Sequence, residues 1–352
     1  MQPALVFRFR PAGPWRIGPD HGARDASDTL LHSDALFSAL TQAMSSLGRL
    51  EEWLAATIPS AGPPAVQLSS CFPYLDEVHL ITPPATLWPP AASPRVRWEG
   101  ARFVPLCLVN DLLSERPLNE EAWRLDGPSH CLLQADIKFS GPGPFRPVRR
   151  RRAAVDRLGG QVAPYETACL EFSDGGGLWG LIVFADEQAC ERWNQPLRGA
   201  LQWLADTGVG GERSQGWGHS LPPEFIEIEW PDTLLTAPVL ASEPEGPGAW
   251  WLLSLFVPAD ASAVDWSRSR FQLVTRGGRV ESRSGWGLPK KLLRMVAEGS
   301  VLCAEGPLCG VARDVAPDGF PHPVLRYGLP LALRIGSLTA ERPAAERTVG
   351  VA

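Results

Sequence analysis

The chain has 352 residues, of which 44% are apolar and 20% charged, and a formal net charge of −6. That length has room for two ordinary domains with cores of their own, and the composition is that of a globular protein. The acidic balance excludes a uniformly basic nucleic-acid binder. No apolar run approaches a membrane span, and seven scattered cysteines without a C-x-x-C pair exclude a disulfide framework and a zinc site. A cytoplasmic chain without metal or cofactor is expected.

Residues 4–10, ALVFRFR, alternate apolar and charged side chains as a half-buried strand does. After a polar loop from Pro11 to Leu31, Ser33 is expected to cap a helix, with Asp34 in its first turn favourable to the helix dipole. Leu36, Phe37, Leu40, Met44 and Leu47 keep the three-four spacing of a core-facing helix. Strand-like pieces recur at 66–72, 78–82, 102–109, 131–139, 168–173 and 178–185, and a second helix is predicted over 186–206, followed by the strand EFIEIEW. Strand, helix, strands, helix, strand is the order of a ferredoxin-like α+β unit with insertions. Residues 236–249 read as a linker between a larger unit, 1–235, and a smaller, mainly β unit, 250–352, with a hairpin at FQLVTRGGRVE.

Residues 208–218, GVGGERSQGWG, are the most informative stretch. Glycine permits positive φ and close backbone approach, and successive N–H groups can then point into one concavity that suits a phosphate oxygen. Gly208, Gly210, Gly211 and Gly216 would shape that concavity, and Arg213 and Ser214 would add a guanidinium fork and a hydroxyl. The loop follows a helix and precedes a strand, the reverse of a dinucleotide-binding turn. Lys138, Lys290 and Lys291 are the only lysines and none sits in a P-loop. The alternative is a turn that merely joins helix to strand.

Positive charge is unevenly placed. Arg146, Arg149, Arg150, Arg151, Arg152 and Arg157 face only Asp156 within 146–157, so they are expected to project and to meet phosphates that relieve their mutual repulsion. A second basic stretch, 268–294, carries Arg268, Arg270, Arg276, Arg279, Arg283, Lys290, Lys291 and Arg294 against Glu281 alone, and RSGWG at 283–287 echoes RSQGWG at 213–218. His32, Ser33 and Asp34 are consecutive, so their side chains splay and cannot form a triad. His32 as a general base, with Lys138 or Tyr165 nearby, would be ribonuclease chemistry that nothing in the spacing enforces.

HSDALFSAL (32–40) resembles the first-helix signature of the RAMP proteins of CRISPR systems, and GVGGERSQGWG resembles their C-terminal glycine-rich loop. VRRRRAAVDRLGG, KKLLRMVAEGSV (290–301) and VLRYGLPLALRI are similar to a narrower group, the fourth Csm subunit of type III-A effector complexes. The resemblance implies two ferredoxin-like (RRM-like) domains and a projecting thumb, mapped onto 140–167. It implies a non-catalytic cap on a ribonucleoprotein that binds the 5′ handle of the guide RNA (crRNA). The implied partners are the large polymerase-like subunit and a backbone RAMP subunit, with target RNA met indirectly and no membrane. The RNA contacts it implies are His32 and Ser33, the 146–157 arginines, the glycine loop with Arg213 and Ser214, and Arg283, Lys290 and Lys291. The density of arginine in VRRRR departs from the pattern. The alternative within the same superfamily is a metal-independent endoribonuclease that matures repeat RNA.

Overall fold

The computed structural model describes residues 2–18, 25–90, 98, 100–135, 142–156, 159–237, 240, 246–282 and 285–336. The first half runs β1 (Gln2–Phe9), α1 (Ser33–Ser46), α2 (Leu50–Thr57), β2 (Val66–Leu68), β3 (Phe72–Leu75), β4 (Val78–Ile81), β5 (Val104–Pro105), α3 (Leu106–Leu113), β6 (Trp123–Asp126) and β7 (Cys131–Gln134). Next come β8 (Phe145–Val155), β9 (Val162–Phe172), β10 (Gly176–Phe184), α4 (Glu187–Thr207) and β11 (Glu224–Trp230). The remainder is β12 (Gly248–Leu252), β13 (Asp265–Arg270), β14 (Leu273–Arg276), β15 (Arg279–Ser282), β16 (Gly285–Pro289), β17 (Leu293–Val296), β18 (Val301–Ala304), β19 (Arg313–Asp314), β20 (Leu325–Arg326) and β21 (Ala332–Arg334).

The larger sheet has the order β11-β1-β10-β3-β4-β5, with β2 also paired to β10. Its four principal strands, β1, β3, β10 and β11, therefore lie in the spatial order fourth, first, third, second, and each pairing is antiparallel. The smaller sheet, β13-β18-β12-β21, has the same order when its strands are counted along the chain. In the first unit helices connect the strands. In the second, none of the described residues from 246 to 336 is α-helical, and loops and short β pairs take the helices' places.

Central position explains β1. It is paired on both edges, and its residues from Ala4 to Phe9 are all buried, where a half-buried strand was expected. Arg8 is accommodated because its Nε–H donates to His79 Nε2 (2.9 Å) and its Nη2 meets Glu77 (3.0 Å). Burial, reinforced by the Arg8 charge, lowers the His79 pKa to about 4, so the ring stays a neutral acceptor. Helix α4 begins at Asp186, whose carboxylate accepts from the Ala189 N–H (2.8 Å), and ends at Gly208 in positive φ. Trp53 links the helices, stacked 5.9 Å from Phe37 and edge-on to Trp193 at 5.8 Å.

Three sequence expectations change. Residues 102–109 hold only a two-residue strand before α3, because Leu106, Val109 and Leu113 also fit a helical stripe, and short apolar runs are ambiguous between the two periods. The segment around Gly277–Gly278 is no hairpin: β14 pairs with β17 and β15 with β16. Finally, the two units share a continuous hydrophobic core. Phe37 of α1 stacks on Tyr327 at 4.8 Å, and the Ser70 N–H donates to the Leu253 carbonyl at 2.9 Å. Of the expected linker 236–249, residues 238–239 and 241–245 lie outside the described residues.

Candidate nucleic-acid interface

Helix α1 starts with a cluster of buried polar side chains. His32, not Ser33, occupies the cap position, with extended backbone and no side-chain cap bond. Ser33 cannot cap because its hydroxyl accepts from the Leu255 N–H (3.0 Å), while its own N–H donates to Ser70 Oγ (2.8 Å). His32 lies between two carboxylates, with Nδ1 2.8 Å from Glu298 and Nε2 3.0 Å from Asp28. Asp34 accepts Arg276 in bidentate fashion (2.9 and 3.1 Å) and also pairs with Arg326, whose Nη2 donates to the Gly277 carbonyl. All three residues of the His-Ser-Asp motif thus bind the second unit. His32 and Ser33, expected at an RNA groove, are buried in a clasp between the two halves.

Burial alone would lower the His32 pKa, but Glu298 and Asp28 outweigh it and raise the value to about 9. Asp28, Asp34 and Glu298 are each buried, which would raise their pKa values. The His32 charge and hydrogen bonds lower Asp28 and Glu298, and Arg276 and Arg326 lower Asp34, so all three fall below the ordinary range. An imidazolium donating through both nitrogens has no lone pair for general-base work. Lys138, its suggested companion, lies outside the described residues.

The glycine loop packs first against its own chain. Gly211 N–H donates to the Arg16 carbonyl (2.8 Å), Val209 N–H to Gly218 (3.0 Å) and Gly218 N–H to Pro14 (2.9 Å). A Cβ on Gly210 would strike the Arg16 carbonyl, and one on Gly218 the Val209 carbonyl, both at positive φ. Those glycines are required by close packing within the fold. Arg213–Gln215 then form one 3-10 turn, entered through Glu212 in the left-handed region. Ser214 and Gly216 lie exposed, and Arg213 pairs with Glu281 of the second unit.

Strands β8 and β9 form an eleven-residue-pair hairpin that carries the arginines. Counter-charges lie across the hairpin, out of view of a local reading. Glu171 takes Arg146 (3.0 Å) and Arg150 (2.7 Å), and Glu166 takes Arg151 (3.4 Å). Arg152 meets Glu212 (3.4 Å) and lies over the buried Trp217 ring at 4.4 Å, with Arg150 5.7 Å from the same ring. The two-residue period of a strand therefore divides the run. Arg150 and Arg152 face the glycine loop, and Arg149 and Arg151 face away, Arg149 with no acid partner among the described residues.

The glycine loop, the start of α1 and the turn between β14 and β15 converge on one cleft between the units. Its wall includes Gly208, Gly210, Arg213, Arg279, Lys290 and Arg326. Lys290 is half-buried and makes no ion pair with any described residue. Burial, then the Arg326 charge, lowers its pKa. Among the described residues no cluster of histidine, cysteine and carboxylate could hold a metal ion.

Residues 247–335 match the family model of the CRISPR Csm4 C-terminal domain. Over these residues the chain is similar to a Csm4 C-terminal domain. Across both units the chain has the fold of Csm4 structures. A chain of the Csm3–Csm4 subcomplex of the type III-A CRISPR-Cas interference complex matches with a TM-score of 0.62 at 15% identity, covering 94% of this chain and 99% of that one. A chain of the Csm1–Csm4 cassette in complex with cA4 matches with a TM-score of 0.58 at 18% identity, covering 96% of this chain and 100% of that one. No curated protein matches the chain.

The segment that matches the Csm4 C-terminal model supplies Glu298, Arg276 and Arg326 to the clasp and Lys290 to the cleft. Of the residues expected to meet RNA, the cleft gathers Gly208, Gly210, Arg213 and Lys290. Lys291 points elsewhere, to Asp318 at 2.7 Å. Gly211, Ser214 and Gly216 belong to the loop but not to the cleft wall, and Arg157 and Arg283 lie outside the described residues. Sequence reasoning missed Arg326 and Gln42, which line the cleft as well, and took Arg279 only as part of the basic stretch 268–294. Gly277–Gly278, beside Arg276 and Arg279, was the available signal, read instead as a hairpin turn.

Proposed function

We propose that the chain is the Csm4 subunit of a type III-A CRISPR effector complex, a non-catalytic RNA-binding cap that holds the 5′ handle of the guide RNA. Each sheet's strand order fits a ferredoxin-like unit, the second with its helices replaced, and the β8–β9 hairpin corresponds to the thumb. One observation carries the reading. In a chain of net charge −6, the cleft between the units gathers Arg213, Arg276, Arg279, Lys290 and Arg326 against only Asp34 and Glu281. Such a local excess of cations suits a phosphodiester backbone, which it would position without reading sequence. Arg149 and Arg151, on the outer face of the hairpin, extend the same surface chemistry. By the names of the matched structures, the large subunit and the backbone RAMP subunit are the protein partners. No observation favours the endoribonuclease alternative, since His32 is buried and donates through both nitrogens.

The test is binding of a fluorescent RNA carrying the 5′ handle against a scrambled handle, in EDTA, with product length read on a gel. The expected result is handle-preferring binding of intact RNA, with a log–log salt slope of about −0.7 per phosphate neutralised. Arg149→Ala should weaken binding and reduce that slope by about 0.7. A discrete cut product, or equal affinity for both RNAs, overturns the proposal.

A further inference from the structure

A second concavity adjoins the cleft. Ser38, Gln42, Arg279, Glu281, Lys290 and Leu325 line both, so the two are lobes of one groove running along α1 between the units. Their chemistry differs. The first lobe holds the cationic excess, including Lys290 without an ion pair and Arg326, whose buried Nε–H has no acceptor. The second is floored by Phe37, Leu50, Leu54 and Val280, with His322 at its edge. At the junction stand two polar side chains, the Ser38 hydroxyl and the Gln42 carboxamide, and neither bonds to any described residue.

We propose that this groove seats one splayed nucleotide of single-stranded RNA, its phosphate in the cationic lobe and its base in the apolar lobe. The inference rests on the RNA-binding reading above and names the place where a base is read. An anion beside a flat apolar ring with a polar edge describes a nucleotide, and the two lobes present those chemistries in that order. Lys290 is the phosphate ligand, because the nearby acids Asp34 and Glu281 are paired to Arg276 and Arg213, and a half-buried ammonium that makes no close ion pair is stabilised by an arriving anion. Gln42 offers both a carbonyl acceptor and two N–H donors, so it can hydrogen-bond the base edge, and Leu50 and Leu54 cover a ring face. Single-stranded RNA is usually read in this way, through unstacked bases held against protein surfaces.

The experiment uses the full chain and a series of handle RNAs, each with one abasic position, titrated by fluorescence anisotropy. One position should weaken wild-type binding by about tenfold or more, the scale of a lost base contact. That penalty should vanish in Leu54→Glu, which fills the apolar lobe with a charge, and in Gln42→Ala, which serves if Leu54→Glu melts early. Lys290→Gln should weaken every RNA in the series alike and lower the salt slope by about 0.7. A penalty spread evenly over positions, or one unchanged in both lobe variants while the intact handle still binds, overturns this inference and leaves the capping role standing. Failure of the folded chain to prefer the handle overturns both.

Discussion

Asp34 presents one negative charge to two buried guanidiniums, and this asymmetry orders the consequences of removing each partner. Asp34→Ala leaves Arg276 and Arg326 both uncompensated in a buried site, and breaking such a pair costs about 3–5 kcal/mol. Arg276→Met leaves Asp34 still paired with Arg326, so the loss should be clearly smaller. Urea midpoints of the two variants test the order, and an Arg276→Met loss equal to that of Asp34→Ala would contradict it. The His-Ser-Asp motif was visible in the sequence, but its role was not. Asp34 lies 242 residues from Arg276 and 292 from Arg326, and His32 lies 266 from Glu298. No local spacing rule reaches that far, so His32 and Ser33 looked like ligands for something outside the chain and Asp34 like a first-turn acid serving the helix dipole.

Elements were legible wherever a periodic pattern ran long. Helices α1 and α4 and the strand β11 lie within a few residues of their expected positions. The eight-residue α2 was not anticipated, and α3 took the place of a strand, because short apolar runs carry too few turns to declare a period. The arginine run was legible as a charge density, while the cross-strand carboxylates Glu166 and Glu171 became its partners only through the β8–β9 register. That register also makes Trp217 the fastening between hairpin and glycine loop, since Arg152 lies over the indole and reaches Glu212. A cation–π contact of this kind contributes about 0.5–2 kcal/mol, so Trp217→Leu should raise the open population of the hairpin roughly 2- to 30-fold. Trypsin, which cuts after arginine, reads that population when opening and closing outpace cleavage. Faster nicking within the hairpin is expected for Trp217→Leu but not for Arg149→Ala, which faces away. Equal nicking rates in wild type and Trp217→Leu would remove the fastening role.

At the scale of the whole molecule, the clasp ties the stability of the paired units to pH. The charged groups facing His32 include Asp28 and Asp34 near it in the chain, Glu298 from the segment before β18, and Arg276 from β14. His32 has a folded pKa near 9 against an ordinary 6.5, so its contribution is fully present below about pH 6.5 and is lost as pH rises through 9. The carboxylates Asp28, Asp34 and Glu298 are depressed, so theirs is present above the ordinary carboxylate range and lost as pH falls through the lowered values. The two limbs leave a plateau between about pH 5 and 6.5, with an alkaline decline above it. Wild type should therefore lose stability steadily between pH 6.5 and 9. His32→Gln, which cannot titrate, should be less stable at pH 6 and show a flatter slope over the same interval. Thermal melts of the two proteins across pH 5 to 10 decide this. Parallel slopes would mean that His32 is neutral in the fold, and that the contact between the two units draws its charge pairing from Asp34 and Arg213 and not from His32.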